Sequence, residues 1–273
     1  MYKLVVSDMD GTLLNSNHEV TEENKVALKE AIDKNVRVAI ATGRIYTSAK
    51  VYGKNLGLLT PIIACNGAIV RDMATDEILY ENHLEKEDVL KVIEVARKHG
   101  VYYHYYTADK FYTEELVYSS LKYSEWNDEQ KEEDRIDIII VEDGYECAKN
   151  LEEHIYKVQL ISEDSELMEK VRKELDDMPT VECCKSWYNN LEVMNRGVSK
   201  ASAIMQLAKL YNVDKEEIIC FGDNENDITM LRYVGKGVAM DNADDYVKEH
   251  ADYITKSNDE SGVAHGIRKF VLN

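Results

Sequence analysis

The chain has 273 residues, 44% of them hydrophobic and 31% charged, which is roughly twice a typical domain length and too apolar for a disordered polymer. Fifty-two acidic residues against 33 basic give a net charge of −19, which argues against nucleic acid or an anionic membrane as a general partner, since both need a cationic surface. No apolar run approaches the ~18 residues that span a bilayer. Asp8 and Asp10 fall where a signal peptide needs its apolar stretch, and the five cysteines lack metal or redox spacing; free thiols in a reducing cytoplasm are expected.

Residues 2–7 form a short apolar strand that stops at Asp8, with Gly11 marking a turn. Thr21 is placed to cap a helix, with Glu22 and Glu23 in its first turn and Val26, Ala27, Ala31 and Ile32 on one buried face. A second strand, 36–41, ends at Thr42-Gly43-Arg44. A helix follows over 46–56, and Pro61 opens a third strand that runs into Asn66-Gly67. Alternating strands and helices predict a parallel α/β sheet of Rossmann-like type, whose ligands gather beyond the carboxyl ends of the strands.

The middle of the chain differs. Residues 84–186 hold 27 acidic and 14 basic side chains, a net of −13, which leaves −6 for the remainder. The segment carries a tyrosine cluster (Tyr102, Tyr103, Tyr105, Tyr106, Tyr112), strands near 136–141 and 156–161, and a helix near 166–175. It reads as an inserted α+β cap domain, 84–186, within a core domain made of 1–83 and 187–273. The tyrosines are expected mainly to pack, or to offer a stacking surface to a ring. The core pattern resumes with a strand at 191–194, a helix over 198–211 with Lys200 near its start, and a strand at 218–221. That strand runs into Gly222-Asp223-Asn224-Glu225-Asn226-Asp227, and shorter strands and helices follow.

Four clusters at these strand ends and helix starts have complementary chemistry. Asp8 and Asp10, two residues apart, can hold Mg2+, one serving as nucleophile and the other as general acid and base; the same residues also make good turn chemistry. Thr42, Gly43 and Arg44 offer a hydroxyl and backbone N–H groups to phosphate, or an ordinary capped turn. Lys200 gains nothing from the positive end of a helix dipole unless an anion lies between them. Asp223 follows a buried strand so abruptly that a metal site is expected there rather than a solvated loop, with Asp223 completing a magnesium shell with Asp8 and Asp10. Asn66 and Gly67 either line the pocket or turn the chain.

The ordered set Asp8-Met9-Asp10-Gly11-Thr12, Thr42-Gly43-Arg44, Lys200 and Gly222–Asp227 resembles the four motifs of the haloacid dehalogenase superfamily. Asn66-Gly67-Ala68 and the position of the insertion resemble its Cof-type phosphatases, with a type IIB cap. The resemblance implies an aspartyl-phosphate on Asp8 and acid–base work by Asp10. It implies Mg2+ on the Asp8 carboxylate, the Asp10 carbonyl and Asp223, with Asp227 behind them. The phosphoryl group is expected at the Met9 amide, Thr42, Gly43, Lys200 and Asn226. The implied substrate is a small phosphate monoester, a sugar phosphate or a cofactor phosphate such as flavin mononucleotide or pyridoxal phosphate. A phosphomutase and a non-catalytic sensor are the alternatives, and a monomer or weak homo-oligomer is expected.

Overall fold

The computed structural model describes residues 1–273 and divides into two compact units. The first is made of Met1–Gly43, Tyr52–Tyr80 and Ser199–Asn273; the second of Arg44–Val51 and Glu81–Val198.

In the first unit the strand Leu4–Ser7 is central, flanked by Arg37–Ile40 on one side and Ile218–Gly222 on the other, then Lys236–Ala239 and Tyr253–Ile254. All five strands are parallel, and a bridge from Ala41 to Ile63 continues the array toward Ile62–Ala64. The central strands are buried along their whole length, as expected of apolar runs in a sheet covered on both faces. Because they share one direction, their carboxyl ends coincide. Ser7, Ile40 and Phe221 align in register, and the residues that follow each of them emerge on one side of the sheet.

The helix Glu22–Asp33 starts where expected, with Thr21 Oγ1 accepting from the Asn24 N–H. Its buried face runs through Asn24, Ala27, Leu28 and Ala31, whereas Val26 is 46% exposed. Ala27 and Ala31 are buried as expected and Ile32 is half-buried, but Asn24 and Leu28 take the inward place expected of Val26; the Asn24 amide donates to Leu13 C=O and accepts from Ala264 N–H.

The second unit is built on a six-stranded sheet ordered Val181–Cys184, Asn190–Asn195, Lys157–Ile161, Tyr102–Tyr106, Lys110–Thr113, Asp137–Ile140. Every pairing is antiparallel except the last. Tyr103, Tyr105, Val158, Leu160, Leu191 and Val193 pack against the helices Lys86–His99 and Ser165–Asp176 in one apolar core. The strand at 191–194, expected to resume the first pattern, lies instead in this sheet, paired on both sides. Its alternation of apolar and polar residues suits a sheet with one apolar face, while a fully buried parallel strand reads as a continuous apolar run.

Candidate active site

The site forms in the first unit where the parallel strands end. Asp8 follows the central strand, its N–H held by Phe221 C=O at 3.0 Å. Gly11 then turns the chain at φ +76°, and a Cβ there would stand 2.3 Å from Asp223 Oδ2; only glycine lets the two loops approach so closely. The Thr12 hydroxyl donates to Asp223 Oδ1 at 2.6 Å. Asn242 and Asn258 tie the turn down by donating to Gly11 and Leu14 carbonyls at 2.8 and 2.9 Å.

Lys200 is the first residue of the helix Lys200–Tyr211, which is capped by Ser199. Its ammonium is fully buried and donates to Asp8 Oδ1 at 2.5 Å and to Asp227 Oδ1 at 2.7 Å. These carboxylates are the anions that the helix start required. Burial alone would lower the lysine's pKa, but Asp227 and Asp8 outweigh it and hold the group protonated. Asp227 reaches back along its own loop, its Oδ2 accepting from the Asp223 and Asn224 N–H groups at 2.9 and 3.1 Å.

Asp8, Asp223 and Asp227 each present an oxygen within 4.8 Å of the others. Burial, then the neighbouring carboxylates, push Asp8 well above the usual carboxylate range despite Lys200. Asp223 is pushed up to about 7 by burial and Asp227, against the Thr12 hydrogen bond. Two buried carboxyls that resist ionisation beside a third form a donor set that a hard divalent cation fits, since its charge offsets the repulsion and its preferred ligands are oxygens. The Asp10 side chain stands outside this cluster, 47% exposed, 3.9 Å from His18 Nδ1.

The remaining candidates divide. Thr42 is buried, its N–H bound to Ile63 C=O and its carbonyl accepting from Asn66 N–H, both at 2.9 Å. Asn66 is buried and accepts from Asn226 Nδ2 at 3.0 Å. Met9 is buried, its carbonyl engaged by the Thr12 and Leu14 N–H groups. Gly43 is half-buried at the end of the same strand as Thr42. Arg44 belongs to the second unit and donates to Ser48 Oγ at 3.1 Å. The sequence reading gave no role to Thr12, Asn242 or Asn258. Thr12 stood within the quoted motif, whereas the two asparagines act through loops with no local signature.

Residues 5–267 match the profile of the haloacid dehalogenase-like hydrolases. The chain belongs to that family. It is 33% identical to a putative phosphatase, YxeH, of Bacillus subtilis, covering 100% of this chain and 99% of that one. It is 32% identical to the 5-amino-6-(5-phospho-D-ribitylamino)uracil phosphatase YcsE of the same organism, over 99% and 96%. Among solved structures, the subclass IIB sugar phosphatase BT4131 superposes with a TM-score of 0.82 at 25% identity, over 99% and 100%. The resemblance to Cof-type, type IIB enzymes read from the motifs therefore holds, and the chain is a phosphoric monoester hydrolase. No helix is long and apolar enough to cross a membrane.

Proposed function

We propose that this hydrolase removes the phosphoryl group from a small phosphorylated metabolite, a sugar phosphate or a cofactor phosphate, through an aspartyl-phosphate on Asp8 and with Mg2+. The observation that carries the reading is the buried Asp8 carboxylate, held 2.5 Å from the Lys200 ammonium among two further carboxylates. A relative that acts on a phosphoribityl compound and a structural neighbour that is a sugar phosphatase support the substrate class.

In this mechanism an Asp8 oxygen attacks phosphorus while the bond from phosphorus to the ester oxygen breaks. Asp10, more exposed than the other carboxyls, gives its proton to the departing alkoxide and then takes one from the water that attacks the aspartyl-phosphate, breaking the bond from phosphorus to Asp8 and releasing inorganic phosphate and the Asp8 carboxylate. Lys200 keeps its proton throughout and offsets the charge gathered on Asp8 and the phosphoryl oxygens. The Met9 and Gly43 amides, the Thr42 hydroxyl and Asn226 orient the phosphoryl group. Asp8, the Asp10 carbonyl and Asp223 would hold Mg2+, with Asp227 fixing the Asp223 backbone; the ion supplies positive charge to the phosphoryl oxygens. We assign the second unit as the type IIB cap that selects the leaving alcohol. The five cysteines are all free, which suits action in a reducing cytoplasm.

The test is phosphate release from a panel of sugar, nucleotide and cofactor monophosphates, with Mg2+ and with EDTA, for the wild type and Asp8→Asn. Metal-dependent release should fall by about a thousandfold or more in the variant. Near-normal turnover by Asp8→Asn would remove the covalent mechanism, and return of the phosphoryl group to substrate would favour a mutase.

A further inference from the structure

The turn Cys65–Gly67 is a strained stretch of backbone inside the first unit. Its three residues lie consecutively in the left-handed region, with φ of +48°, +57° and +100°, and two of them carry side chains that this region disfavours. Such a conformation persists only where surrounding contacts over-determine it. Here the contacts lead to three different parts of the phosphoryl site. The Asn66 N–H donates to Thr42 C=O at 2.9 Å. Gly67 lies so close to the cap of the Lys200 helix that a Cβ would meet the Ser199 carbonyl oxygen at 2.2 Å. The Asn66 side chain accepts from Asn226 Nδ2 at 3.0 Å.

A second observation points to a ligand. Asn226 Oδ1 is buried and has no hydrogen-bond partner, a costly condition in a native interior that calls for a missing group. A primary amide has a donor end and an acceptor end, and Asn66 engages one of the two. A phosphoryl oxygen accepts, so it requires the donor end. Turning both amides over keeps the bond between them, with Asn66 Nδ2 now donating to Asn226 Oδ1, and releases the Asn226 NH2 group for the phosphoryl oxygen.

We propose that Asn66 is a positioning residue: it acts on the phosphoryl group through Asn226, and its left-handed turn fixes the mutual spacing of Thr42, Lys200 and Asn226. The inference rests on the phosphatase reading and goes beyond the expectation that Asn66 merely lines the pocket or bends the chain. It assigns Asn66 no contact with substrate.

The experiment measures KM and kcat on an aryl phosphate, the calorimetric Kd of inorganic phosphate, and Tm, for the wild type, Asn66→Gly, Asn226→Ala and the double variant. Glycine retains the positive φ and deletes only the amide. Asn66→Gly should weaken phosphate binding and raise KM by about fivefold or more, with Tm within a few degrees of wild type, and the double variant should be no worse than Asn226→Ala. Asn66→Asp gives a second handle: its carboxylate can only accept, so it pins the Asn226 NH2 toward itself and should lose phosphate affinity while folded. Unchanged phosphate affinity in Asn66→Gly or Asn66→Asp, or losses that multiply in the double variant, would overturn the inference alone. A wild type that neither hydrolyses the ester nor binds phosphate would overturn the phosphatase reading and this inference together.

Discussion

At Asp223 the cost of assembling the site can be separated from its use. The carboxyl is buried between Thr12 and the Asp227 loop, and its pKa is pushed up to about 7. The sign follows from linkage: with a folded pKa above the unfolded value near 4, the group's stabilising contribution is complete below the unfolded pKa and is lost as pH rises toward 7. Without metal at pH 8, Asp223→Asn should therefore be more stable than wild type, by an amount on the order of a few kcal/mol at most. With saturating Mg2+ the order should reverse, since only the carboxylate contributes charge to the ion. Thermal unfolding of both proteins with Mg2+ and with EDTA checks this; a variant less stable than wild type in both conditions would mean that the carboxylate is structural. The residues behind this argument differ in how openly the sequence displayed them. Asp8, Asp223 and Lys200 were legible because each stands at the abrupt end of an apolar run or the start of a helix. Asp227 was expected only in a supporting place, yet it binds the Lys200 ammonium directly, because the tight loop folds its side chain back over four residues.

Elements were legible where burial and periodicity agree, and less so where one face of a sheet is polar. The parallel strands at 4–7 and 218–222 announce themselves as unbroken apolar runs, and their carboxyl ends locate the site. The strand Lys157–Ile161 hides a different interior. On one face, Lys157 and Gln159 stand across from Tyr106 and His104, and Gln159 stands across from Glu192. Lys157 pairs with Glu192 at 2.5 Å, and His104 Nε2 lies 3.0 Å from the Tyr106 hydroxyl and 3.2 Å from Gln159 Oε1 while its ring stacks on Phe111. No periodicity rule foresees a lysine, a glutamate and a histidine inside one sheet; the Lys157–Glu192 and His104–Gln159 pairings join residues 35 and 55 positions apart, and His104 Nδ1 is left without a partner. Burial first, then the Lys157 charge, hold His104 well below its ordinary pKa, so the imidazole is neutral in the fold. The unfolded chain takes up a proton below about pH 6.5 that the folded chain refuses, and stability is lost as pH falls. At pH 5.5 the difference is bounded by the unfolded pKa at about 1.4 kcal/mol, or at most some 3–5 °C in Tm. His104→Gln, which keeps a polar group toward Tyr106 and Gln159, should lack this increment, so the Tm gap between the two proteins should narrow from pH 7.5 to 5.5. Parallel pH profiles would show that His104 is not the titrating group.

The charge of the whole molecule sets a condition on any anionic substrate. Of the net −19, −13 lies within residues 84–186, so the far field is repulsive, whereas in the proposed mechanism the phosphoryl group meets the short-range charge of Lys200 and of Mg2+. These two influences respond differently to salt, because a Debye length near 30 Å at 0.01 M shrinks to about 8 Å at 0.15 M and screens the summed charge of the molecule before a direct contact with the ammonium. The local concentration of a phosphate ester near the protein should rise accordingly. With Mg2+ saturating, kcat/KM for a sugar monophosphate should rise about two- to threefold between 0.01 and 0.15 M KCl, while kcat stays level. A sugar bisphosphate should gain more, since repulsion scales with its charge. The salt series on both esters distinguishes the two fields: a steady fall in kcat/KM with salt would show that the lysine and metal govern approach as well as binding.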